Sequence, residues 1–328
     1  MANNGDKMFN SLAISLAIIS LNLAGGSSIR AASLSIHHEA RVSYDFAGMR
    51  LAQWSGGALV NFASNQTAAP TLLSFDDQGK QLQALPFTIP ESETVDLYDI
   101  ARSPDGFFAV CGKAYDHSGR GSGFIAVVSP TGDQATTVRL YPYYPTLVTV
   151  GSDRTIWTAG VEVVNGKEGG PGINPEYGVI RHFDLTGRLL GSFIPRSSLP
   201  SRSMILNGTL RSANGRIGWY TGPIAGPGSQ YYEILSDGTV RRYPSIALNK
   251  SEYVTGLALM DDGSSYATTF DSADRAYRLH SVAGPSQQWA VEPVPDQIGR
   301  GILYGGEGSR LVFHTPDHFT LIFADVSR

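Results

Sequence analysis

A turn followed at once by an apolar-rich run recurs six times along this chain, and that recurrence constrains the fold more than any other feature. The copies are WSGGALVNFA from Trp54, SPDGFFAVCG from Ser103, GSDRTIWTAG from Gly151, SANGRIGWYTG from Ser212, MDDGSSYATTF from Met260 and GGEGSRLVFHT from Gly305. Gly, Asp and Asn supply the positive φ that tight hairpin turns require. Successive copies start 45 to 61 residues apart. A second series alternates with the first: SFDDQGKQL from Ser74, VSPTGDQATTV from Val128, FDLTGRLLGSF from Phe183, LSDGTVRRY from Leu235 and SVAGPSQQWAV from Ser281. Each repeat therefore holds an inner hairpin, a longer connection and an outer hairpin, which makes four strands.

Four-stranded units repeated at this period point to an all-β chain, a β-propeller of antiparallel blades. Six inner turns and only five outer ones leave the last unit one strand short at Val326-Ser327-Arg328. The segment Ala40–Phe46, ARVSYDF, is expected to supply that strand, closing a six-bladed ring and removing its open sheet edges. Tandem β-sandwiches are the competing architecture. A third regularity lies seven residues before the turn glycine, where Gly208, Gly256 and Gly301 recur. A small residue there suits an axis where backbones crowd. The equivalent places hold Asp99 in the second unit and Arg50 in the first. On repeat length and turn pattern the chain resembles the six-bladed β-propeller superfamily, the broad group with TolB-like and NHL-like folds. The resemblance runs from about Ile36 to Arg328 and implies fold rather than function.

The N-terminus departs from the repeat. Lys7 precedes a thirteen-residue apolar run, Leu12 to Ala24. That length is short for a bilayer span and suits the core of a signal peptide; a buried core segment is the other reading. Small residues follow, with cleavage placed after Gly26 or near Ala32. Residues 1–32 thus read as a signal peptide and short tail, and 36–328 as a single propeller domain. The mature chain is expected to be secreted or periplasmic, with no membrane span. His37-His38-Glu39 reads as a tail leading into the closing strand. The single cysteine, Cys111, has no internal disulfide partner and sits in an apolar run as a small core residue. Charged residues are only 16% of the chain, its formal net charge is -4, and no basic run occurs; nucleic acid is not an expected partner.

Loops on a rigid scaffold are where ligands are usually met. In a propeller the connections between second and third strands share one face with the links between blades, and here they are long and irregular. Candidate binding residues on that face are Asp116, His117 and Arg120 in one loop, Glu176 in the next, Asp271, Asp274 and Arg275 in the fifth unit, and His314, Asp317 and His318 in the sixth. Carboxylates converging from several blades could hold Ca²⁺, which takes six or more oxygens. Tyr143 and Tyr144, in YPYYP, could stack on a sugar or peptide. No G-x-S-x-G, G-x-G-x-x-G, P-loop, H-E-x-x-H or C-x-x-C motif occurs. The sequence therefore points to an exported binding or scaffold propeller for a protein, peptide or carbohydrate ligand. The alternative is a calcium-dependent lactonase- or esterase-like hydrolase working at the axial opening, a chemistry implied by analogy with similar folds.

Overall fold

The computed structural model describes residues 33–42, 53–65, 68–165, 171–199, 204–222, 228–315 and 320–327. They form six antiparallel sheets, each built on four strands in sequence order apart from one closing strand; in blade 3 a short fifth strand, Pro171–Ile173, also pairs with the end of the second strand. The innermost strands are Gln53–Ser55, Thr94–Arg102, Tyr143–Val150, Met204–Ala213, Glu252–Leu259 and Ile302–Glu307, in blades 1 to 6. Second strands such as Phe108–Tyr115 and Arg216–Gly222 are almost wholly buried. Neighbouring blades cover both of their faces, so their sequences read as continuous apolar runs. Outermost strands such as Val240–Arg242 are exposed and polar.

Six hydrophobic clusters form between the blades, one at each junction. Val60, Ile100, Phe108 and Phe124 join blades 1 and 2. Leu59, Phe75, Val312 and Phe323 join blades 6 and 1. The ring is thus closed by a core as well as by a strand.

The closing strand is Ser33–Arg41, which pairs with Thr320–Ser327 from Ser33 opposite Ser327 to Arg41 opposite Thr320. The N-terminal closure is therefore as expected, but it begins seven residues earlier than Ala40–Phe46. Only Ala40 and Arg41 of that segment lie in the strand, and Ser43–Phe46 fall outside the described residues. The triplet His37-His38-Glu39 is part of the strand, not a tail. His37 Nδ1 lies 3.0 Å from Asp325 Oδ2. His38 stacks on Phe323 at 4.3 Å between ring centroids, and its Nε2 lies 2.8 Å from the Asp77 carbonyl. An outermost strand tolerates such polar residues, which is why its apolar alternation was hard to see. The apolar run Leu12–Ala24 also lies outside the described residues. Among those described, no helix is long and apolar enough to cross a membrane.

The inner turns come in two forms. Gly56-Gly57 and Asn214-Gly215 are two-residue hairpins with positive φ at both positions. The turns at Ser103, Gly151 and Met260 are longer, each ending on a left-handed residue: Gly106, Arg154 and Gly263. Five of the six inner strands carry a register irregularity near their middle, between Leu97 and Asp99 in blade 2, Val254 and Gly256 in blade 5, and Leu303 and Gly305 in blade 6. A bulge re-aims the residues that follow it. Counted from the bulge, Gly305 rather than Gly301 is the blade-6 counterpart of Gly256. Gly301 precedes the inner strand, because the blade-6 turn starts sooner after the bulge. A Cβ on Gly256 would lie 2.1 Å from the Leu303 carbonyl oxygen, so the backbone of the next blade requires glycine there. At the same register blade 2 has Asp99.

Candidate functional site

All six blades contribute to one cavity, of about 250 Å³, at the axial opening on the face of the tight inner turns. Its floor is a polar knot that ties three blades together. Gln53, fully buried, points its side-chain Nε2 at three acceptors: the Ile100 carbonyl, Asp99 Oδ1 at 3.3 Å and the Val148 carbonyl at 3.4 Å. Three acceptors around one end of the amide fix that end as the nitrogen. Asp99 receives the backbone N–H of Ile100 on Oδ1 and that of Val148 on Oδ2, both at 2.9 Å. Burial pushes the Asp99 carboxyl up to about 7, against the opposing pull of the Arg211 charge and these hydrogen bonds. Below neutral pH it is therefore largely protonated.

The walls carry two guanidinium groups. Arg102 Nη1 donates to the Gly56 carbonyl at 2.7 Å, and the Arg102 backbone is tied to Ser55 Oγ. Arg211 Nη1 donates to the Leu210 carbonyl at 2.8 Å. Burial pulls Arg211 down to about 10, with Asp99 pulling it back up, so it stays charged at neutral pH. Across the opening, Glu307 Oε2 accepts from Trp54 Nε1 at 3.1 Å. Asp261 and Asn214 complete the rim. The wall hydroxyls are engaged: Thr149 Oγ1 donates to Ser212 Oγ at 3.2 Å, and Ser212 Oγ donates to the Val150 carbonyl. The cavity wall thus presents two guanidinium groups and two carboxylates beside apolar surface. Cys111, opposite Asp99 in the sheet, is fully buried, and burial raises its thiol well above the ordinary range. It is a core residue, as its sequence setting suggests.

Among the described residues, those expected on the loop face lie in separate surroundings. Asp116 closes its own turn, accepting from the backbone N–H of Ser118 and Arg120 at 2.9 Å. His117 is exposed, 3.9 Å from Glu93, and Arg120 and Glu176 are exposed as well. Tyr143, expected to stack on a ligand, is instead fully buried. Its hydroxyl lies 3.0 Å from Thr158 Oγ1, and the Arg181 guanidinium covers its ring at 4.0 Å. The first strand of blade 3 starts at Tyr143, so this ring is turned into the junction between blades; Tyr141 is the exposed member of YPYYP. Tyr144 is half-buried, its hydroxyl donating to the Gly121 carbonyl at 3.3 Å.

Asp271 is buried and accepts from Asn249 Nδ2 and Ser251 Oγ, both at 2.7 Å, which holds its carboxyl far below the ordinary range. It staples the link between blades 4 and 5. Asp274 meets it only through Arg278, at 3.7 Å and 3.6 Å respectively. Arg275 occupies a left-handed turn position. His314 is buried and stacks parallel to Tyr304 at 5.1 Å. Asp317 and His318 lie outside the described residues. Among the described residues no three His, Cys, Asp or Glu side chains group as metal ligands. The axial residues were missed because each is ordinary in sequence. The one available signal was Asp99, a carboxylate standing where blades 5 and 6 place glycine.

No protein-family model matches this sequence, and no curated protein matches it. Among solved structures, a subtype N10 neuraminidase-like protein of a little yellow-shouldered bat isolate from Guatemala is similar, at 10% identity and a TM-score of 0.51. That alignment covers 90% of this chain and 100% of the other. A soluble aldose sugar dehydrogenase from Escherichia coli aligns over 90% of this chain and 99% of its own, at 10% identity and a TM-score of 0.45. A xyloglucanase from Xanthomonas campestris aligns over 83% of this chain and 44% of its own, at 13% identity and a TM-score of 0.43. The neuraminidase-like protein is similar to it in fold alone, and on the sheets, junctions and closing strand described above this chain is a six-bladed β-propeller.

Proposed function

We propose that this chain is an exported binding propeller that holds a small polar molecule in the axial mouth on its tight-turn face. The observation that carries this reading is the convergence of six blades on one polar cavity with a rigid, hydrogen-bonded floor. Concave sites with a few fixed polar groups on a stiff scaffold are the usual form of small-molecule sites. The cavity has room for roughly eight water volumes at ~30 Å³ each, the scale of a small metabolite. Export rests on Lys7 and the run Leu12–Ala24, which read as a signal peptide directing the chain to the periplasm or the medium.

The test is a thermal-shift screen of the purified chain against a mixed panel of small metabolites. Hits are repeated on Asp261→Trp and Pro104→Trp, two exposed rim positions where a large side chain narrows the mouth. Both variants should melt like the parent and lose the hits. Hits that persist undiminished in both would move the site elsewhere.

A further inference from the structure

We infer that the ligand of the axial mouth is a small monocarboxylic acid, its carboxylate held by Arg211 and Arg102; this rests on the mouth being the binding site. Among the described residues, Arg102 and Arg211 donate side-chain hydrogen bonds only to backbone carbonyls, and neither forms an ion pair. The carboxylates nearby are engaged otherwise. Asp105 pairs with Arg154 at 2.8 Å, Glu307 accepts from Trp54, and Asp99 is enclosed by donors from Gln53, Ile100 and Val148.

A guanidinium fork matches a carboxylate with two parallel hydrogen bonds. Elsewhere in the molecule two partly buried arginines have their own acids: Arg216 pairs with Glu233 at 2.9 Å, and Arg181 with Glu162. The two mouth arginines make no such direct ion pair, although the Asp99 charge acts on Arg211 and the Asp105 charge on Arg102, and a ligand acid completes their hydrogen bonding. Charge selects the kind of acid. Glu307 and Asp261 sit on the same rim, so two positive and two negative groups surround the cavity. A phosphate dianion would be repelled by the rim carboxylates more strongly than a single carboxylate oriented toward the arginines.

The experiment is calorimetric titration of the full chain with D-galacturonate, L-lactate and D-gluconate. The controls are methyl galacturonate, D-galactose and inorganic phosphate. At least one acid is expected to bind, with its neutral ester or parent sugar and phosphate at least tenfold weaker. Arg211→Gln should lower acid affinity at least tenfold while still melting cooperatively, and Arg211→Lys should retain part of it. If the neutral sugar or ester binds as tightly as the acid, if phosphate binds more tightly, or if no acid binds, the inference is overturned. Should another small molecule then bind in a way that Asp261→Trp abolishes, the mouth still stands as the site. Acid binding that survives undiminished in Asp261→Trp and Pro104→Trp would remove the mouth itself. Should Arg211→Gln fail to fold, Arg102→Gln provides the same comparison from another blade.

Discussion

Ring closure by the two ends of the chain can be tested by tying those ends together. Ser33 and Ser327 face each other across the outermost pair of blade 6, with their hydroxyl oxygens 2.6 Å apart although they stand 294 positions apart in sequence. Both are exposed, so replacing them costs little packing. The double variant Ser33→Cys with Ser327→Cys should oxidise spontaneously, leaving only the buried Cys111 as a free thiol. Closing a loop of this length removes unfolded-chain entropy equivalent to about 5 to 6 kcal/mol in the chain-entropy model, and engineered bridges commonly deliver less. The oxidised protein should therefore gain about 2 to 5 kcal/mol over its reduced form. Guanidinium unfolding with and without reductant measures the difference, and thiol titration under denaturing conditions confirms the bond. A reduced form that differs from the parent would show that the substitutions themselves perturb the strand. If no intramolecular bond forms, or if the oxidised and reduced forms unfold at the same denaturant concentration, the two ends do not share a sheet. Removing residues 33–41 is the converse experiment. It exposes an edge of Thr320–Ser327 and strips cover from Phe323, and it should abolish cooperative unfolding.

Three further outcomes follow from the buried polar groups. Asp99 has a folded-state value raised to about 7 from an ordinary 3.8, so the stability of the fold is greatest with this group protonated and falls as pH rises from about 4 through 7. The shift corresponds to roughly 4 kcal/mol; urea unfolding of the parent and of Asp99→Asn across that range should show a stability difference that changes with pH, and a flat difference would refute the assignment. Glu233 accepts hydrogen bonds from Tyr231, Tyr243, Ser265 and Arg216 in a buried knot between blades 4 and 5. Glu233→Ala strands the Arg216 charge and should cost about 3 to 5 kcal/mol by denaturant unfolding, against less than 1 kcal/mol if the knot is incidental. Cys111, buried and with its thiol pushed up, should resist iodoacetamide in the native protein and react only on unfolding. Rapid native labelling followed by mass spectrometry would contradict its place in the core.

The sequence by itself determined the repeating unit, the number of blades and the need for a strand from the other end of the chain. These are local or counting properties. Turn residues such as Gly56-Gly57 and Asp262-Gly263 announce hairpins through their backbone preferences, and six units with one strand missing leave a single way to close. The position of the closing strand was less legible, because an outermost strand buries one side only and accepts His37 and His38. Where the polar residues meet was decided by tertiary structure alone. Gln53, Asp99, Arg102 and Arg211 come from three blades and are up to 158 residues apart in sequence. No spacing rule links them, since it is ring closure that brings the middles and ends of inner strands to one axis. The same closure buried Tyr143 and His314, which sequence placed among exposed loops. Exposure in a propeller depends on the neighbouring blade, and that neighbour is not written in the local pattern of either residue.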